Sequence, residues 1–347
     1  MNDLVFFYPE GHEAHFDLGH PERPERVEAI REAMESAGLW AAYPHLDPVE
    51  LPEAVLHNIH TPAYLQTLEQ ISKQGRNFDL DTYTTPASWD LALKAAGGAA
   101  AVASAVWRRE AKRGFALTRP PGHHATPDRA LGFCLLNNIS LAAEYLIQEM
   151  GAKKLAIVDL DLHHGNGTQE IFYRRGDVFY LSTHQSPLYP GTGRLDETGA
   201  GPGQGRNANF PLPPYSGDQA FQTVMRELIL PLLDRYQPEM ILVSYGFDPH
   251  WSDPLGHLRL CAPVYGNLIA QLVEWADDHC SGRVSMCLEG GYDLDAAKTC
   301  SLAAVAALLG KPPEIYLEGM VAAGTSPRPE GMDWRRMVDL AKEIWNL

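Results

Sequence analysis

Short runs of apolar and β-branched residues alternate along the chain with longer stretches in which apolar positions recur at helical spacing. The strand-like runs fall at 115–118, 155–160, 178–183, 240–245 and 284–288, and the helix-like segments at 86–109, 135–150, 217–236, 263–279 and 294–309. Near-continuous apolar strands separated by helices of about ten or more residues predict an α/β fold, an open and mostly parallel sheet with helices on both faces. No internal repeat or low-complexity linker interrupts the pattern, so residues 1–310 are expected to form a single domain. Residues 311–347 open with Lys311-Pro312-Pro313 and close with an amphipathic stretch at 334–345. They read as an extension that docks a C-terminal helix. The Gly/Pro-rich stretch 189–215 reads as a long loop, and loops of that length are usually functional or mobile.

In such a sheet the chemistry sits just beyond the carboxyl ends of the strands. After the first run a Pro/Gly turn, Arg119-Pro120-Pro121-Gly122, leads into His123 and His124. Two adjacent histidines are by themselves ordinary loop residues. After the second run comes Asp159-Leu160-Asp161-Leu162-His163. Strand alternation puts Asp159 and Asp161 on one face, and His163 continues it if the chain stays extended. Two carboxylates buried side by side are costly unless cations or strong donors meet them. A helix cap would account for one Asp but not for three ligand-type residues in register, so Asp161 and His163 read as an O,N pair for a divalent metal. After 240–245 comes Asp248, which alone is equally well a helix cap. With the other pair it completes two Asp and one His, leaving metal positions open for water and substrate. After 284–288, Glu289-Gly290-Gly291 permits a tight, left-handed backbone that swings Tyr292 inward.

Composition narrows the partners. The 347 residues are 45% hydrophobic and 21% charged, as in a globular protein with a sizeable core. Lys and Arg number 28 against 44 Asp and Glu, a net charge of −16, which repels phosphate backbones and anionic lipid. Neither nucleic acid nor membrane is an expected partner, and uncharged stretches such as 95–107 fall short of the ~20 residues a bilayer needs. The N-terminus carries Asp3 and lacks the basic start of a signal peptide. Cys134, Cys261, Cys280, Cys287 and Cys300 are odd in number without C-x-x-C spacing, which indicates neither a disulfide framework nor a thiolate zinc site. A cytoplasmic location is expected, and a homo-oligomer is left open.

Together these segments resemble the zinc-dependent histone deacetylase superfamily, which includes bacterial histone-deacetylase-like amidohydrolases and acetylpolyamine amidohydrolases. The resemblance runs from about residue 20 to 309 through HPERPERV at 20–27, RPPGHHA at 119–125, GFCLLNN at 132–138, DLDLHHGNGTQ at 159–169, PGTG at 190–193, GFD with DPLG at 246–256 and EGGY at 289–292. RPPGHHA and Asn166 in HHGNG look more like class II members than class I. The resemblance implies an arginase/deacetylase-like fold in which Asp161, His163 and Asp248 bind Zn²⁺, with Fe²⁺ or Co²⁺ also accommodated. His123 and His124 match the histidine pair, with Asp159 orienting the first and Asn166 the second, and Tyr292 matches the phenol that meets the scissile carbonyl. Phe133 and Tyr189 match the tunnel walls, Gly132 its floor and Leu255 its mouth, where polyamine-selective relatives can carry a glutamate. Arg23 matches a buried arginine beside an acetate-release cavity. A structural K⁺ would be held by Asp159, Ser182 and main-chain carbonyls of Asp161, His163 and Thr183. Tyr245 departs from the small residue common in relatives, and either fills core or crowds the site.

The expected activity is hydrolysis of acetyl or short acyl groups from amines such as acetyl-lysine, with acetylpolyamine hydrolysis the nearest alternative. An arginase-type dimetal ureohydrolase would need further carboxylates after strand 240–245. A non-catalytic, deacetylase-like binding protein would be marked by loss of Tyr292 or the His pair, and all three are present.

Overall fold

A computed structural model of the protein describes residues 1–320, 324, 326 and 329–347. Its strands are β1 (Asn2–Phe7), β2 (Ala111–Ala116), β3 (Leu155–Asp159), β4 (Val178–Gln185), β5 (Asn207–Leu212), β6 (Met240–Tyr245) and β7 (Val284–Leu288). They form one parallel sheet in the order β1-β2-β7-β6-β3-β4-β5. The helices are α1 (Glu25–Ser36), α2 (Glu53–Ile59), α3 (Pro62–Lys73), α4 (Ser88–Trp107), α5 (Asn138–Met150), α6 (Asn166–Phe172), α7 (Asp218–Val224), α8 (Leu230–Tyr236), α9 (Ala262–His279), α10 (Leu294–Leu308) and α11 (Trp334–Trp345). One π turn, Met225–Ile229, joins α7 to α8.

Strand alternation sorts the apolar side chains into two cores. Ile241, Val243 and Tyr245 of β6 face the side packed with α1, α9 and α10, whereas Met240 and Leu242 face α4 and α5. Tyr245 belongs to that first core. It is fully buried, donates its hydroxyl to Cys300 O at 2.8 Å and meets Phe115 and Tyr265 edge-on, so it fills core and does not crowd the site. All five cysteines are buried and unpaired. No helix among the described residues is long and apolar enough to cross a membrane.

Two strands lie outside the five strand-like runs, β5 for want of apolar residues and β1 despite its Leu4-Val5-Phe6-Phe7 run. β5 lies inside the stretch read as a long loop, because Asn207, Asn209 and Pro211 are poor strand formers. It is an edge strand, where a proline needs no ladder partner on its outer side. β1 holds the other edge. β2 begins four residues before the run at 115–118, its start masked by Lys112 and Arg113, and it ends at Ala116. Beyond it, Thr118 Oγ1 donates to Leu288 O at 2.6 Å, outside the ladder. Helices α1, α2, α3 and α6 also lie outside the helix-like segments.

The site follows from the strand order. β3 and β6 are neighbours, with Asp159 opposite Ser244, yet the chain leaves β3 toward β4 and leaves β6 toward β7. Connections that diverge between adjacent strands open a crevice at their carboxyl ends. In the extension, α11 buries Trp334, Met337, Val338 and Ala341, and Trp345 packs on Phe179. Residues 321–323, 325, 327 and 328 of that extension lie outside the described residues.

Candidate active site

The segment after β3 and the loop after β6 bring Asp161, His163 and Asp248 together, with one donor atom from each within 4.8 Å of the others. All three are buried. His163 Nδ1 faces Asp248 Oδ2 at 3.1 Å and Asp161 Oδ1 at 3.3 Å. Backbone donors hold the carboxylates: Gly290 N–H to Asp161 Oδ2 at 2.8 Å, and Leu162 N–H to Asp248 Oδ1 at 3.0 Å. Side chains at two nearby glycines would close this space. A Cβ on Gly246 would lie 2.0 Å from Asp161 Oδ2, and one on Gly290 would lie 2.4 Å from Asp248 Oδ2.

The two carboxylates of this cluster can be balanced by a proton on His163 or by a cation. Burial and the Asp161 carboxylate push Asp248 up from its ordinary value. Burial works against a charged His163, but Asp161 and Asp248 outweigh it and push the ring up to about 9. A proton on Nδ1 and a metal ion are alternative answers to the same two carboxylates. One imidazole and two carboxylates, converging and buried, fit a single divalent ion with open positions.

Beside this cluster stand the two histidines of the loop after β2. His123 Nδ1 lies 3.1 Å from Asp159 Oδ2, and its Nε2 is 3.7 Å from Asp161 Oδ1. Burial opposes its charge, yet Asp161 and Asp159 push His123 up to about 10. His124 is the opposite case, held well below its ordinary range by burial and by the His123 and His163 rings. Its Nδ1 lies 2.8 Å from Asn166 Oδ1. The carbonyl oxygen of Asn166 can only accept, so the Nδ1 position carries the proton and Nε2 keeps its lone pair. Asn166 belongs to the first turn of α6, and this hydrogen bond joins that turn to the histidine loop.

His124, His163, Gly132, Phe133, Leu188, Tyr189, Leu255 and Tyr292 line one cavity of about 280 Å³. Phe133 has a φ of 68°, an uncommon backbone for a side chain of its size, of the kind that clusters at functional sites. Its ring meets Tyr292 edge-on at 5.7 Å, while Tyr189 meets His124 edge-on at 5.2 Å from the more open side. Gly291, at φ 112°, turns the chain so that Tyr292 enters the cavity. Burial outweighs the nearby Arg26 and raises the phenol well above its usual value, so it stays protonated.

One sequence expectation is corrected here. Arg23 is partly exposed, and the buried arginine is Arg26, one helical turn on. Arg26 donates to Gly291 O and Glu289 O at 2.5 Å each and lies 4.9 Å from the centre of the Tyr292 ring. In HPERPERV, Arg23 lies ahead of α1, before its N-cap Pro24, whereas Arg26 sits in the first turn of that helix. Asp159 and Ser182 sit opposite each other in register on β3 and β4, with Ser182 Oγ 2.9 Å from His184 Nδ1 and the Thr183 hydroxyl buried without a partner.

Four further residues escape the sequence reading. Asp79 and Asp81 line the cavity mouth from the segment before α4. Glu289 accepts from Gly122 N–H at 2.7 Å and His123 N–H at 3.0 Å, holding the histidine loop. Asp253 accepts from Tyr292 N–H at 2.7 Å and Leu255 N–H at 3.0 Å. Glu289 and Asp253 sit inside recognised motifs, EGGY and DPLG, and that proximity was the available signal.

A parallel α/β sheet carries at one switch point a buried Asp, His and Asp that could hold a metal ion, a histidine pair and a phenol. The chain matches the Histone deacetylase domain family over residues 20–308 and belongs to that family. It is 40% identical over 307 residues to a probable deacetylase of Archaeoglobus fulgidus, covering 86% of this chain and 85% of that protein. It is 35% identical over 294 residues to a histone deacetylase-like amidohydrolase of Pseudomonas aeruginosa, covering 84% and 77%. Among solved structures, the crystal structure of the HDA15 HD domain superposes with a TM-score of 0.89 at 32% identity, over 99% of this chain and 94% of that one.

Proposed function

We propose that this protein removes acetyl or short acyl groups from amines such as acetyl-lysine, with Zn²⁺ held by Asp161, His163 and Asp248. The observation that carries the reading is the convergence of those three buried donors beside a cavity that His163, His124 and Tyr292 line. When bound, the ion supplies Lewis acidity to the substrate carbonyl, with less power to ionise water than a three-histidine site because two ligands are anionic. A separate base is therefore needed. His124 Nε2 takes the proton from water and later returns it to the leaving nitrogen, its ring oriented by Asn166. His123, kept imidazolium by Asp159, offsets the negative charge that develops in the transition state. The Tyr292 hydroxyl donates to the carbonyl oxygen as it becomes an oxyanion, a contribution of ~3–4 kcal/mol for such donors. Phe133 and Tyr189 flank a straight aliphatic stem, and Gly132 leaves room beside His124. A structural K⁺ on Asp159, Ser182 and nearby carbonyls belongs to the same proposal.

Hydrolysis of acetylated polyamines is the second reading, favoured by Asp79 and Asp81 at the mouth. Leu255 carries no charge, but these carboxylates can meet a distal ammonium. The deciding experiment combines metal removal with a substrate panel. Dialysis against a strong chelator should abolish turnover of an acetyl-lysine peptide, and Zn²⁺ or Co²⁺ should restore it; full activity in a verified metal-free sample ends the zinc reading. On the panel, kcat/KM for acetylated polyamines is expected to be no more than comparable with that for acetyl-lysine peptides. A hundredfold preference for the polyamine, ~2.7 kcal/mol, would establish the second reading in its place.

A further inference from the structure

Asp253 is 6% exposed and joins two segments that reach the cavity separately. Its Oδ1 accepts the Leu255 N–H at 3.0 Å, on the loop between β6 and α9. Its Oδ2 accepts the N–H groups of Tyr292 at 2.7 Å and Asp293 at 3.3 Å, on the loop between β7 and α10. Asp293 is the N-cap of α10, its own side chain accepting from Ala296 N–H, so Asp253 also meets donors at the start of that helix. The Asp253 N–H donates to His250 O at 3.0 Å, which orients the carboxylate from behind. The Tyr292 ring is otherwise held by the edge of Phe133 and by the face of Arg26, contacts that tolerate sliding along the ring plane. Its main chain has two directional restraints: Arg26 donates to the carbonyls of Glu289 and Gly291 on the near side, and Asp253 accepts the Tyr292 and Asp293 N–H groups, tying them to the Leu255 loop.

Resting on the proposed deacylation, we propose that Asp253 is the positioning residue for the Tyr292 phenol, locking it in register with the Leu255 wall so that its hydroxyl meets the carbonyl of a substrate lying along that wall. A carboxylate suits this task because its two oxygens accept from two separate segments at once. The amide of Asn offers only one acceptor oxygen and must release one of them. A misplacement of about 1 Å at a reacting group costs on the order of 10²-fold in rate.

The test is a double-mutant cycle on the zinc-loaded full chain with an acetyl-lysine peptide, joined to crystal structures of the wild type and Asp253→Asn. Asp253→Asn should lower kcat by ~10–10²-fold with zinc content unchanged. In a Tyr292→Phe background the same substitution should cost less than about threefold, because the donor it positions is already gone. An equal factor in both backgrounds, the result of a merely smaller folded fraction, overturns the proposal. In the crystal, the Tyr292 hydroxyl of Asp253→Asn should move by about 1 Å while Asp161, His163 and Asp248 stay in place. An unmoved phenol overturns the proposal even if the wild type turns over no acetylated amine, a result that would instead count against the deacetylase reading. If Asp253→Asn does not fold, Asp253→Ser, which also keeps a single acceptor, takes its place in both measurements.

Discussion

The two histidines at 123 and 124 are neighbours in sequence and opposites in chemistry. His123 lies between two carboxylates and is pushed up to about 10, whereas burial and the neighbouring His123 and His163 rings push His124 down. One ring can therefore hold a positive charge while the other keeps a lone pair for proton transfer. His124→Ala should accordingly be at least as damaging to kcat as loss of the phenol. Tyr292→Phe should lower kcat ~10²–10³-fold with zinc still bound, since it removes one oxyanion donor and keeps the ring. Steady-state kinetics with metal analysis check both; an unchanged rate in Tyr292→Phe would mean that the hydroxyl does not face the carbonyl. Asp161→Ala should lose the metal outright, read by metal content alone. All of these residues were legible in the sequence, because each follows a strand within a few positions and carries a side chain with few structural reasons to be buried there. Arg26 was not, since nothing in the HPERPERV run marks that α1 begins at Glu25, leaving Arg23 ahead of the helix and Arg26 within it.

At the scale of elements, a buried cluster centred on Glu22 ties α1 to the segments around it. Its carboxylate accepts from Arg119 Nε at 2.7 Å, Arg26 Nη1 at 3.2 Å and the Tyr83 hydroxyl at 3.2 Å. Glu22 thereby connects α1, the loop after β2 and the segment before α4, and Arg26 carries the connection on to the Tyr292 loop. Burial alone would raise the Glu22 carboxyl, but Arg119, His15 and Arg26 outweigh it and hold it at about 2, below the ordinary 4.5. A depressed carboxylate contributes stability that is present above its unfolded value and lost as pH falls toward the folded one. Glu22→Gln should cost ~3–5 kcal/mol near neutral pH, leaving two buried guanidiniums short of a partner. The gap in unfolding free energy between wild type and variant should narrow from about pH 5 to about pH 3, measured by denaturant titration. A constant gap over that range would mean the folded protein does not hold Glu22 as an anion.

For the whole molecule, a net charge of −16 acts on cations weakly and without direction, whereas Asp79 and Asp81 place two carboxylates at the mouth of the cavity. Raising salt from ~20 to ~300 mM should lower kcat/KM for an acetylated diamine with a free ammonium about threefold, and leave a neutral acetyl amide nearly unchanged. Equal responses from the two substrates would remove the mouth carboxylates from the account. Leu255→Glu should add a third carboxylate at the mouth and shift kcat/KM further toward acetylated polyamines. The shift should be smaller in an Asp81→Asn background if the two acidic positions attract the same ammonium.

The sequence by itself determined the parallel α/β class, five of the strands and the side chains that gather beyond them. A strand apolar on both faces can only be covered on both faces, and a polar residue just past its end has only the crevice to occupy. It also carried the family motifs in order. The tertiary structure alone decided the edge strand β5, whose Asn and Pro residues leave a weak hydrophobic signature, whereas β1 carries a plain apolar run at Leu4-Val5-Phe6-Phe7. It decided that Arg26, in the first turn of α1, is buried while Arg23, ahead of that helix, is partly exposed. It brought Asp79 and Asp81 to the mouth from a segment with no strand end beside it, and it joined Asp253 to Tyr292 across 39 positions. Such pairings arise from how separate loops meet over the switch point, and periodicity along one segment holds no record of them.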